Sequence, residues 1–216
     1  MILKRLQVKT PQIGLLTNSY IVCDEETKEA MVIDPGGEPE RIAEVLDILG
    51  ANLKYIFITH CHADHIGGVA ELKKLKGGKI LISRDDAEGL YNPDLSLCEY
   101  INADNLQREA DARVDDDDLI HVGNIEFKVI ATPGHTKGGL CLYSEKEKLV
   151  FTGDTLFSGT WGRTDLPTGS FVEIITSITE RLMTLPDHTI VYPGHGKITM
   201  IQDEKNIYLE LREKDF

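Results

Sequence analysis

Within six residues, His60-Cys61-His62-Ala63-Asp64-His65, the chain places four side chains able to bind a metal, three imidazoles and one carboxylate. Imidazoles two apart in a loop that leaves a strand can converge on one cation, while Asp64 and His65, at the turn into a helix, can face an adjacent one. Packing does not account for so many polar donors in one place. Three further segments each set a metal-binding side chain in a glycine-rich turn after an apolar run: Thr132-Pro133-Gly134-His135-Thr136, Thr152-Gly153-Asp154-Thr155 and Tyr192-Pro193-Gly194-His195-Gly196. Each turn means little by itself. With the cluster they assemble five imidazoles (His60, His62, His65, His135, His195) and two carboxylates (Asp64, Asp154) at strand ends, where loops gather into sites. Structural zinc is generally held by a closed, cysteine-rich set, so seven donors without a thiolate describe an open, water-bearing site. Such donors suit zinc, iron and manganese alike.

Other residues have plainer readings. Cys61 lies between two of these histidines and is expected to point away from them. His121 and His188 read as ordinary polar residues, and the acidic run Asp115–Asp118 as a solvated turn without function. Gly67-Gly68 reads as a site of close helix packing, and Asn18 as a side chain bonded to nearby backbone. The chain has no Gly-x-Ser-x-Gly elbow and no phosphate-binding Gly-x-x-x-x-Gly-Lys loop. The four cysteines form no Cys-x-x-Cys pair and are expected to be buried or free thiols.

Alternating and apolar runs provide the elements that must carry the donors. Leu3–Val8, Ile13–Cys23 and Ala30–Ile33 read as an antiparallel opening sheet with turns at Thr10-Pro11 and Asp24–Thr27. Ile42, Val45, Leu46 and Leu49 recur at helical spacing over Glu38–Leu49, closed by Gly50. Tyr55–Ile58 is expected as a buried strand, His65–Lys76 as a helix whose first turn Asp64 caps, and Lys79–Ile82 as another strand. Asp85–Asp111 fits neither period and reads as helical turns and loop. Leu119–Val122, Ile125–Ala131, Gly139–Tyr143 and Leu149–Thr152 form a second strand set, with turns at Val122-Gly123-Asn124 and Ser144–Lys148. Phe171–Leu185 follows as a helix, Thr189–Tyr192 as a strand and Met200–Arg212 as a last helix. This order suggests two sheets with helices outside them.

The 216 residues suit one domain spanning residues 1–216, with neither a linker nor an internal repeat. At 41% hydrophobic and 27% charged residues, the composition excludes collagen-like and disordered classes. Twenty-three basic against 36 acidic residues leave a net charge of −13, which repels nucleic acid and anionic membranes. No apolar stretch approaches a membrane-spanning length, and Met1–Thr10 lacks the core of a secretory signal, so the cytoplasm is the expected location.

The series His60-x-His62-x-Asp64-His65, His135, Asp154 and His195 resembles the metallo-β-lactamase superfamily from Asp34 to His195. That resemblance implies an α+β fold, an αββα sandwich of two mixed β-sheets with helices on the outer faces and metals at one edge. Gly153-Asp154-Thr155-Leu156-Phe157 and Gly162-Arg163-Thr164-Asp165 are similar to the glyoxalase II-like hydrolases, whose relatives cleave thioesters such as S-lactoylglutathione. Carried over, His60, His62 and His135 would hold a first divalent metal, Asp64, His65 and His195 a second, and Asp154 would bridge them. Zinc is the expected metal, with iron or manganese as alternatives. Two such cations about 3.5–4 Å apart share a water and present it as hydroxide to a carbonyl carbon. Asp64 is also the carboxylate best placed to orient that water. The expected activity is hydrolysis of a small thioester or ester.

Three departures from glyoxalase II bear on the substrate. Arg163-Thr164-Asp165 stands where the family has Lys-Phe-Tyr, keeping a cation and losing the tyrosine. Gly196-Lys197 replaces a polar and aromatic pair, and only one helix is expected between His195 and Phe216, without the family's helical C-terminal extension. Arg163 reads either as a ligand for a substrate carboxylate or as a brace to Asp165. Persulfide dioxygenases share the superfamily motif and a similar Gly-Arg-Thr-Asp loop while using one iron and oxygen, which makes them the rival activity.

Overall fold

The computed structural model describes residues 1–10, 15–98 and 109–212, with side-chain burial as far as Tyr208. Two six-stranded sheets dominate it. The first runs β1 (Ile2–Lys9), β2 (Leu16–Cys23), β3 (Glu29–Ile33), β4 (Asn52–Phe57), β5 (Lys79–Ser83) and β6 (Ala112–Val114), in that spatial order. β1 to β3 pair antiparallel, as their turn chemistry suggests, and β3 to β6 pair parallel, so the sheet is mixed. The second sheet contains β7 (Leu119–Val122), β8 (Ile125–Ala131), β9 (Leu140–Ser144) and β10 (Leu149–Gly153). A small hairpin, β11 (Leu156–Phe157) and β12 (Thr160–Trp161), precedes β13 (Ile190–Pro193) and β14 (Thr199–Met200), and the second sheet is ordered β14-β13-β10-β9-β8-β7. Only β10 and β13 pair parallel there.

Three buried layers follow from the strands' period of two. Tyr20, Val22, Met31, Ile33 and Phe57 face Phe127, Val129, Leu142 and Phe151 between the sheets. Their neighbours Ile21, Cys23, Val32 and Ile56 point the other way, onto helices α1 (Pro39–Leu49), α2 (Ala63–Ile66) and α3 (Val69–Lys76). Beyond the short α4 (Pro93–Ser96), the far face of the second sheet packs Cys141, Val150 and Val191 against α5 (Phe171–Thr176) and α6 (Ile201–Arg212). The result is helix, sheet, sheet, helix, the expected αββα sandwich. Among the described residues no helix is long and apolar enough to cross a membrane.

Several boundaries differ from expectation. The helix expected over His65–Lys76 is two helices, and Asp64 caps neither: it lies inside the first turn of α2, behind His62 at the N-cap position. The break is steric, because Gly67 and Gly68 press on the chain at Pro35–Gly37. A Cβ on Gly67 would lie 2.7 Å from the Gly36 carbonyl oxygen, and one on Gly68 2.6 Å from that of Pro35. The helix expected over Phe171–Leu185 starts under the Ser170 cap but widens into a π-helical turn at Ser177–Leu182, where it ends. The last helix begins at Ile201, since Met200 belongs to β14. The first-sheet strand expected from Ile13 is present from Leu16, and Pro11, Ile13 and Gly14 lie outside the described residues. Within Asp85–Asp111 the chain forms a 3₁₀ turn at Ala87–Leu90 and then α4, while residues 99–108 lie outside the description.

Candidate metal centre

Five chain segments deliver the site to one edge of the sandwich. The loop after β4 carries His60 and His62, and α2 carries Asp64 and His65. The loops after β8, β10 and β13 carry His135, Asp154 and His195. Bonds between the sheets fix their relative positions: Leu140 N–H donates to the Thr59 carbonyl at 2.9 Å and Asn18 N–H to that of Gly194 at 2.7 Å. The Asn18 side chain also donates to the carbonyls of Pro193 and Gly196, so its backbone partners are near in space but far along the chain.

All seven expected donors come together. The ligand atoms of His60, His62 and His135 lie within 4.8 Å of one another, as do those of Asp64, His65 and His195. Asp154 lies against both sets: one carboxylate oxygen is 3.3 Å from His65 Nε2, and the other 3.6 Å from His135 Nε2 and 3.5 Å from His195 Nε2. Apart from His195 and Asp64, which stay partly open to the cleft, these side chains are almost fully buried.

The outer hydrogen bonds set the ring tautomers. His135 and His195 direct Nδ1 at the carbonyls of Arg163 (2.8 Å) and Leu16 (2.9 Å), which can only accept. His65 directs Nδ1 at Asp34, 2.9 Å away. Thr59 gives its hydroxyl proton to Asp34, so it must accept from His60 Nδ1 at 3.1 Å. In their neutral forms these four rings therefore turn Nε2 lone pairs inward. His195 Nε2 then faces an Asp64 oxygen at 3.0 Å, while His135 Nε2, 2.9 Å from His62 Nδ1, can accept a hydrogen bond from that ring. The His195–Asp64 contact sets lone pair against carboxylate and repels unless a cation, proton or metal, lies between them. Asp154 Oδ1 and the Nε2 atoms of His60 and His62 are also buried without a hydrogen-bond partner. The residues thus fit metal cations, and nitrogen and oxygen donors without thiolate fit borderline divalent ones.

The electrostatics carry the same demand. Burial, reinforced by neighbouring imidazoles, pushes His60 well below its ordinary value and His62 down to about 3. Burial also opposes charge on His65 and His195, yet the surrounding carboxylates, Asp154 foremost, hold both above the ordinary value. Asp64 and Asp154 lie below the usual carboxylate range: burial opposes this, but the facing histidines outweigh it.

Two supporting acids escaped sequence reading. Asp34 accepts from Thr59 and His65, and the buried Asp86 accepts from Cys61 N–H (3.0 Å), the Thr136 hydroxyl (2.7 Å) and Gly138 N–H (2.8 Å). Asp86 therefore ties the His60–His62 loop to the His135 loop. Neither acid has a local motif; each is defined by its distant partners. Cys61 points away, toward the Leu95 carbonyl, and all four cysteines are free and buried. His121 is exposed beside Glu126, and the acids of the 115–118 turn pair with Arg84, Arg181 and Lys128.

A cleft of about 640 Å³ opens over the donors, within the usual span of small-molecule sites. His62, Asp64, His135, Asp154 and His195 reach it between apolar walls of Leu15, Leu97, Phe157 and Leu166. Arg163 stands at its rim with its fork occupied by Asp165 through two 2.7 Å bonds, the brace among its two expected roles.

Residues 13–195 match the model of the metallo-beta-lactamase superfamily, and the chain belongs to that family. A protein of Aquifex aeolicus described as uncharacterized is 39% identical over 92% of this chain and 93% of its own. A hydroxyacylglutathione hydrolase of Haemophilus influenzae is 34% identical over 90% of this chain and 92% of its own, and a mitochondrial persulfide dioxygenase of Bos taurus 31% identical over 88% and 70%. Among solved structures, the B3 metallo-beta-lactamase BLEG-1 superposes with a TM-score of 0.85 at 30% identity, covering 95% of this chain and 97% of that one. TTHA1623, solved in a di-iron-bound form, gives 0.78 at 30% identity over 91% and 94%. The family is one of metal-dependent enzymes acting on small molecules.

Proposed function

We propose that this chain is a hydrolase of a small thioester or ester, S-lactoylglutathione-like substrates included, working at a centre for two divalent metals. His60, His62 and His135 form one half, Asp64, His65 and His195 the other, and Asp154 joins them. The observation that carries this reading is the joined donor set: two triads, each within 4.8 Å, with Asp154 against both. When bound, two cations (zinc in the first instance, iron or manganese with the same donors) acidify a water and stabilise negative charge developing on a carbonyl oxygen.

The protein's own groups do the rest. Asp64, steadied by the Thr17 hydroxyl at 3.3 Å, reaches the cleft floor and orients the attacking water, the catalytic role assigned to it here. Leu15, Leu97, Phe157 and Leu166 exclude bulk water from the reacting carbonyl. Arg163 is a substrate ligand only for a carboxylate able to displace Asp165.

A mononuclear iron persulfide dioxygenase is the second reading, favoured by the 31% identity to the bovine persulfide dioxygenase. Oxygen separates the two. A hydrolase needs only water, so thiol release from S-lactoylglutathione or a simpler thioester should run at the same rate when oxygen is excluded. Oxygen uptake and sulfite formation on glutathione persulfide, with no thiol released from any thioester tried, would reverse the assignment.

A further inference from the structure

A second hollow of about 430 Å³ adjoins the cleft, lined by Phe157, Ser158, Thr160, His195, Gly196 and Lys197. It shares Phe157 and His195 with the cleft, so a substrate whose carbonyl sits over the donors can extend past His195 into it. Both walls are fixed from beneath by one buried carboxylate. Glu204 accepts from Gly159 N–H at 2.9 Å, between Ser158 and Thr160, and from the Thr199 hydroxyl at 2.7 Å, two residues beyond Lys197. The turn that presents Lys197 is equally held: the Gly196 carbonyl accepts from Arg5 and Asn18, and the Pro193 carbonyl from Tyr20 and Asn18. A rigid floor under an exposed lysine reduces the ordering cost of binding there.

The charges point to the ligand. The molecule carries 13 more acidic than basic residues, and the cleft rim's own cation, Arg163, is spent on Asp165. Lys197 is the one lysine or arginine lining the hollow and forms no ion pair among the described residues. Ser158 and Thr160, whose hydroxyls are neutral donors, also line it.

We propose that this hollow is a carboxylate subsite, with Lys197 as its specificity-determining residue, so that the preferred substrates are thioesters or esters bearing a carboxylate remote from the scissile bond. The proposal rests on the hydrolytic reading of the centre.

The test compares the acetyl thioester of 3-mercaptopropionate with that of 3-mercaptopropionamide, which differ only in the remote charge. Wild-type protein should prefer the acid about tenfold in kcat/KM, mainly through KM, as expected for an interaction present before and during reaction. Lys197→Arg should keep that preference, Lys197→Ala should bring it close to one, and Lys197→Glu should invert it. A preference that is absent in wild type, or unchanged in Lys197→Glu, overturns the subsite. Should neither thioester be hydrolysed, ligand-observed NMR with S-benzyl-3-mercaptopropionate and its amide decides independently of turnover. Acid binding that is lost in Lys197→Glu sustains the subsite while the hydrolase reading falls; equal binding of acid and amide removes the subsite.

Discussion

Asp154 carries more of the centre than any other single residue, because its two oxygens face both triads. In the proposed two-metal centre its removal would leave two cations facing each other with less compensating charge, so Asp154→Ala should lower metal content by more than about one equivalent. Loss of a single metal with substantial turnover retained would contradict its bridging place. His62 and His135 each belong to one triad and lie on loops outside the apolar layers. His62→Ala and His135→Ala should therefore abolish hydrolysis while circular dichroism shows the fold intact. These donors were legible in the sequence because imidazoles and carboxylates in glycine-rich turns are chemically conspicuous. Asp34 and Thr59 were not: an acid and a threonine acquire meaning only once folding sets them against His65 and His60.

Loops become a site through the elements that clamp them, and the buried Asp86 is the clearest clamp. Asp86→Ala would strand two buried amides, Cys61 N–H and Gly138 N–H, and should cost about 3 kcal/mol in denaturant unfolding. Asp86→Asn, which retains an acceptor, should cost less and still loosen metal binding in chelator competition. Gly36→Ala should prevent accumulation of folded protein, since its Cβ would lie 1.6 Å from the Asp64 carbonyl oxygen. Farther from the site, burial would raise the Asp116 carboxyl, but Arg181 and the Ala131 amide hold it below the ordinary range. A depressed acid contributes stability at neutral pH that fades as pH falls below about 4, so Asp116→Asn should flatten the acid limb of the stability curve. Longer elements were readable from their period. β6, β11, β12 and β14 were not, since two or three residues show no alternation. The break between α2 and α3 was hidden because what splits the helix, the chain at Pro35–Gly37, lies more than thirty residues earlier.

Across the whole molecule, the two sheets meet in one apolar layer and bring donors from both to a common edge, so the centre also joins the halves of the sandwich. Metal removal should therefore be felt globally. At metal concentrations about a thousand times the dissociation constant, linkage contributes about 4 kcal/mol, and chelation should lower Tm by several degrees. An unchanged Tm in metal-stripped protein would mean that the donors do not couple the sheets. The two-metal reading itself is tested most directly by elemental analysis of protein loaded until thiol-releasing activity reaches its plateau. Seven convergent donors in two joined triads predict about two divalent metals per chain at that plateau. Full activity with one metal per chain would contradict the dinuclear centre.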